Sequence, residues 1–173
     1  IPMSYQFLTN KKYLGIDPKY LAITCFLGDE NAPKDTESFD LWLKQGIPED
    51  RIAYLPKENN WWGPAGVTGP CGPDTEMFYW TGEATPPQKF DPNDSRWVEI
   101  WNDVFMQYNK NAAGIFELLP KPNVDTGMGV ERTTAVLNGL SDNYLSPIFL
   151  PLIQQIEKLC QMEYGDQTDQ FYI

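Results

Sequence analysis

The chain has 173 residues, 42% of them hydrophobic and 14% aromatic, with a formal net charge of −11 and no histidine. That length can bury a core, and no apolar run approaches the roughly 20 residues a bilayer-spanning helix needs, so a globular, non-membrane domain is expected. The acidic balance disfavours nucleic-acid binding by this segment alone, and the missing histidine excludes Ser-His and Cys-His catalysis and histidine-ligated metals.

Residues 20–26 predict a strand, being apolar, aromatic and partly β-branched. A polar loop follows at 28–33. Asp35 or Thr36 caps a helix to about Gln45, with Phe39, Trp42 and Leu43 on one face and Gly46 as the stop. Residues 51–55 form a second strand, which completes a strand–helix–strand unit. Residues 56–73 have a different texture, with glycines and prolines around Trp61 and Trp62, and cannot be helical. A loop this long in a small domain is either functional or a surface loop anchored by its aromatics.

Residues 75–79 read as a strand leaving that loop, and 81–94 as a polar, proline-rich excursion. Residues 96–109 are the strongest strand pattern in the chain, long enough to be central in an antiparallel sheet. Residues 115–119 pair back through a turn at 111–114. Another strand ends near Asp125, a helix runs from about Gly129 to Asn138 with Gly139 as its stop, and a last amphipathic helix covers 147–162.

Three polar residues interrupt the long strand: Glu99, Asn102 and Asp103. Strict alternation puts Glu99 and Asp103 on one face and Asn102 on the other. One reading is a solvent-facing acidic pair. The other is a set of oxygen ligands for Mg²⁺ or a substrate, and for Glu99 and Asn102 to reach one ligand a bulge or strong twist is required.

The segment 124–132, Val-Asp-Thr-Gly-Met-Gly-Val-Glu-Arg, combines an acid, two glycines and a cation. It reads as a strand end, a glycine-permitted turn and a first helical turn. Gly127 and Gly129 allow a ligand close to the backbone, a helix start favours negative charge, and Arg132 could meet phosphate or lie on a ring. An ordinary strand-to-helix connection explains the same pattern.

The cysteines Cys25, Cys71 and Cys160 are odd in number and lack a CxxC spacing, which argues against a disulfide scaffold or structural zinc and fits a reducing cytoplasm.

Taken together, three segments resemble one family. Residues 60–62 with 68–79 (Thr-Gly-Pro-Cys-Gly-Pro-Asp-Thr-Glu-Met-Phe-Tyr) resemble the active-site loop of alanyl-tRNA synthetases. Residues 99–109 resemble the strand that follows it, and 119–132 the third class II signature, in the same order and spacing. Weaker similarity reaches back to about Leu8. The resemblance implies a class II, α+β fold, an antiparallel β-sheet flanked by helices. It implies ATP-dependent activation of L-alanine to alanyl-adenylate and transfer to tRNA(Ala), with ATP and Mg²⁺ required, in the cytoplasm.

Carried over by position, Asp125 holds the alanine ammonium, Trp62 and Val104 wall the methyl pocket, and Asn102 binds substrate polar groups. Gly127 and Gly129 pack against substrate or adenylate, Arg132 faces adenine and the γ-phosphate, and Glu99 helps hold Mg²⁺ and nucleotide. Asp74 and Trp80 depart from the family's usual residues, as does the wording at 63–66. Nothing matches the family's first two signatures or its tRNA-recognition, editing and oligomerisation segments. The expectation is therefore a single, partial domain over 1–173, the C-terminal half of a catalytic domain, inactive alone and reaching tRNA through other domains. The alternative is a non-catalytic paralogue binding an amino acid, a nucleotide or a protein.

Overall fold

The computed structural model describes residues 1–83, 85–140 and 142–165. It divides into two compact units, Ile1–Gly129 and a second beginning at Val130. In the first unit α1 (Pro2–Thr9) is followed by β1 (Leu21–Phe26), α2 (Thr36–Lys44), β2 (Ile52–Leu55) and β3 (Trp61–Trp62). Three long strands come next: β4 (Gly69–Trp80), β5 (Trp97–Lys110) and β6 (Phe116–Met128). The strand order is β2-β1-β4-β5-β6, with the short β3 pairing against β4. Every pairing is antiparallel except β1 with β2. The parallel pair comes from the strand–helix–strand unit, because α2 returns the chain to the starting end of β1.

All six residues of β1 are buried. The run is apolar apart from Thr24 and suits a strand whose residues are buried on both sides. Asp35, rather than Thr36, caps α2, accepting from Ser38 N at 2.9 Å. Trp42 is completely buried and its indole Nε1 donates to Thr75 Oγ1 at 2.8 Å, while Leu43 is 38% exposed. The buried stripe of α2 is thus Ser38 and Trp42, one turn apart, and Leu43 falls outside it. α1 lies outside the elements expected from patterning. It starts on Pro2 at its first turn and buries Ser4 and Leu8, again four residues apart.

Two stretches expected as loop or turn are strand. Residues 69–73 open β4, in spite of two prolines and two glycines. The ladder slips between Cys71 and Asp74, beside Pro73, which has no N–H to give. A Cβ on Gly72 would collide with the Phe105 carbonyl oxygen, so glycine here permits close approach of two strands. β6 is one continuous element through Pro120 and Pro122. Between the pairs Met106–Asn123 and Tyr108–Leu118, β5 has the single residue 107 and β6 has the four residues 119–122. The prolines therefore sit in a bulge on an edge strand, where no ladder bond is lost. The strand also continues to Met128, so Gly127 lies in β6 and not in a turn.

The second unit contains α3 (Val130–Leu137), a 3₁₀ turn at Asn143–Leu145 and α4 (Leu150–Cys160). α3 buries Thr133, Ala135 and Val136. Tyr164 donates to Asp142 Oδ2 at 2.7 Å and packs edge-on to Tyr144. The α4 start falls three residues after the expected 147, because Pro147 to Phe149 form a turn.

Candidate functional site

Residues paired across antiparallel strands project from the same face, so the register sorts the sheet. One face carries Thr24, Asp74, Glu76, Phe78, Val104 and Asn102, through the pairs Thr24–Glu76, Asp74–Val104 and Glu76–Asn102. Asp125 and Gly127 join it through Val104–Asp125 and Asn102–Gly127. The other face carries Cys25, Thr75, Met77, Trp101, Asp103 and Thr126. On that second face α1 and α2 pack. Ser4 Oγ lies 2.8 Å from both Asp103 carboxylate oxygens, Phe7 stands edge-on to Trp101, and Trp42 reaches Thr75. The first face therefore holds the candidate site.

Glu99 reaches this face by a bulge. Trp101 pairs with Met77 and Glu99 with Phe78, which leaves Ile100 as one extra residue in β5. The extra residue inverts the alternation on its two sides. Glu99 and Asn102 thus share a face, and Asp103 points away among Ser4 and Thr126. Strict alternation over 99–103 is corrected accordingly.

Asn102 is half-buried and fixed. Its Oδ1 accepts from Gly127 N at 3.1 Å, and a Cβ on Gly127 would stand 3.1 Å from that same oxygen. Glycine at 127 leaves space for the amide. Val104 is 3% exposed and lies in register between Asp74 and Asp125. Asp125 is exposed, with Oδ1 accepting from Thr126 N at 2.9 Å. Gly129 N donates to Ile100 O at 3.0 Å, which ties the end of β6 to the bulge.

Trp61 and Trp62 divide their duties. Trp61 packs against Phe26, Tyr108 and Phe116, with Lys57 over its ring at 4.3 Å, and anchors the loop. Trp62 is 38% exposed and pairs with Gly72. Arg132 lies on the first turn of α3, in the second unit.

Four residues outside the sequence expectations join the site: Asn60, Thr24, Asp74 and Glu76. Asn60 is completely buried, and its Nδ2 donates to Thr24 Oγ1 at 2.8 Å and Asp74 Oδ1 at 3.1 Å. Thr24 Oγ1 donates in turn to Glu76 Oε2 at 3.2 Å. Burial pushes the Asp74 carboxyl up to about 7, the Asn60 hydrogen bond opposes this, and the Glu99 charge adds to it. The sequence signal for Asp74 was its departure from the family's usual residue.

Glu76 and Glu99 line a cavity of about 350 Å³ together with Glu58, Asn59, Phe78 and Asn93. Its size falls at the lower end of the ~300–1,000 Å³ of small-molecule sites. Among the described residues no group of three or more His, Cys, Asp or Glu could hold a metal by itself. One or two carboxylates with amide oxygens nevertheless fit Mg²⁺, which keeps waters and takes its other ligands from a nucleotide's phosphates.

The family model for class II tRNA synthetases (A) matches residues 1–173, the full length of the chain. The chain belongs to this class II tRNA synthetase family. It is 51% identical over 168 residues to an alanine–tRNA ligase of Treponema denticola, covering 96% of this chain and 28% of that protein. It is 46% identical to that of Borrelia hermsii, with 98% and 29% covered, and 38% identical to that of Geobacillus kaustophilus, with 98% and 19% covered. The chain thus spans less than a third of the length of these synthetases. No helix among the described residues is long and apolar enough to cross a membrane.

Proposed function

We propose that this chain is the amino-acid-binding part of an alanine–tRNA ligase, which activates L-alanine with ATP and transfers alanyl to tRNA(Ala). The observation that carries the reading is the one open face shared by Asn102, Val104, Asp125 and Gly127, to which the bulge at Ile100 adds Glu99. In a member of this family that row suits alanine. Asp125 takes the ammonium, Val104 and Trp62 meet the methyl group, and the Asn102 amide, held by Gly127 N, meets the carboxylate end.

Activation joins an alanine carboxylate oxygen to the α-phosphorus of ATP as the bond to pyrophosphate breaks. It requires alignment and charge neutralisation rather than a protein nucleophile, so a histidine-free chain suits it. Glu99 stands where Mg²⁺ and nucleotide would be held, and Mg²⁺ when bound neutralises phosphate charge. Gly127 in β6 and Gly129 just after it would leave room for the adenylate against the backbone, and Arg132 is the family's candidate cation for the phosphates and adenine. We read the two units as parts of one catalytic domain, with tRNA binding and the first two class II signatures supplied by the rest of the protein.

The test is calorimetric titration of the chain with a non-hydrolysable alanyl-adenylate analogue, with seryl and glycyl versions as controls. Saturable binding that prefers alanyl and disappears in Asp125→Ala is expected. A folded chain that binds none of the three overturns the reading and favours a synthetase-like scaffold.

A further inference from the structure

We propose that Glu76 is a further ligand-facing carboxylate of this site, at the nucleotide end beside Glu99, and that Asn60 and Thr24 are the residues that position it. The identity of the ligand rests on the ligase reading. The geometry of the chain Asp74–Asn60–Thr24–Glu76 does not.

The direction of each bond is determined. Asn60 Nδ2 lies 3.3 Å from the Asp74 carbonyl oxygen, which can only accept, so the amide nitrogen and not its oxygen must face Asp74 and Thr24. The Thr24 hydroxyl accepts at 2.8 Å from this donor and commits its single proton to Glu76 Oε2 at 3.2 Å. A hydrogen bond to a carboxylate gains from the charge it meets. Glu76 is held in this way by its cross-strand neighbour, on the face and in the cavity shared with Glu99.

The same residue fastens the loop. Asn60 O accepts from Asp74 N at 3.2 Å, so main chain and side chain of Asn60 both grip β4. Asn59, which lines the cavity, and Trp62 flank that grip in sequence. Asn60 Oδ1 is buried and has no hydrogen-bond partner. An orphaned buried acceptor is costly, and a structural amide would be expected to satisfy both ends. The two protons of Nδ2 are shared among Thr24 Oγ1, Asp74 Oδ1 and Asp74 O, so the amide is spent on holding Thr24 and β4.

The test is calorimetry on the 173-residue chain with Mg·ATP and, separately, with the alanyl- and seryl-adenylate analogues. Thr24→Val removes the hydroxyl at nearly constant shape, and Thr24→Ser restores it. Thr24→Val and Glu76→Gln are expected to weaken Mg·ATP by about ten-fold, the scale of one charge-assisted hydrogen bond. Thr24→Ser should stay within two-fold of the wild type, and all three should keep the alanyl-over-seryl preference. Wild-type affinity for Mg·ATP in Thr24→Val overturns the positioning role. The same result in Glu76→Gln, which keeps the acceptor for Thr24 if Thr24→Val fails to fold, overturns the ligand-facing role. If these variants match a wild type that does bind, this proposal alone fails. A wild type that binds neither ligand removes the ligase reading and this proposal with it.

Discussion

The two faces of the sheet are made from alternate residues of the same strands, yet they are finished differently. On the helix-covered face each polar side chain has a partner within the fold. Asp103 accepts from Ser4 and Thr126, Thr75 accepts from Trp42 and donates to Thr24 O at 2.7 Å, and Trp101 Nε1 donates to Thr126 Oγ1. On the open face Asp74 is buried with its carboxyl pushed up to about 7, Asn60 keeps an orphaned oxygen, and Asp125 stands exposed. One face is satisfied by its own chain, and the other keeps a buried acceptor without a partner and an exposed carboxylate. The lesson is that polar residues on a strand become structural or functional according to what covers them.

The comparison breaks first at Asp125. Asp125 is exposed, so removing it costs the charge-assisted hydrogen bond to the ligand ammonium, about 1.5–3 kcal/mol. Asp125→Ala should therefore lose alanyl-adenylate binding in calorimetry while its unfolding midpoint in urea is unchanged. A matching loss of stability would move Asp125 to the structural class.

Asp74 is the next. Its folded value lies near 7 and the ordinary value is 3.8. Between these the folded chain keeps a proton that the unfolded chain gives up. Stability from this group is full below about pH 4, falls as pH rises toward 7 and is level above, by on the order of 4 kcal/mol in all. Asp74→Asn should flatten that slope in urea unfolding measured from pH 4 to 8. An unchanged slope would place the proton elsewhere.

On the satisfied face, Trp42→Phe deletes the donor to Thr75 and reduces the buried indole to a phenyl ring. A loss of about 1–2 kcal/mol in urea unfolding is expected, with ligand affinity unaltered. The smallest effect is expected at Gly127→Ala. The new methyl meets Asn102 Oδ1, so the Gly127 N–H bond to that oxygen weakens, costing about 0.5–1.5 kcal/mol of ligand affinity. Equal affinity would show that Asn102 is not held by this contact in the bound state.

Sequence alone was enough for the elements with strong local signals. β1 is a short apolar run, α2 has its Asp35 cap and Trp42, and β5 is long and aromatic. Segments whose wording resembles one family singled out Glu99, Asn102, Val104, Asp125 and Gly127, and the register sets these five on one face. Propensity misled where prolines and glycines open β4 and pass through β6, because a strand tolerates them at a slipped register or in an edge bulge. Two features were decided only by the tertiary structure. The first is the extra residue at Ile100, which sets Glu99 and Asn102 on one face, and the second is the Asn60–Thr24–Glu76 chain, whose members are 36 and 52 residues apart. A residue's neighbours across a ladder depend on register, and register is settled by pairing among distant strands rather than by any one strand's own sequence.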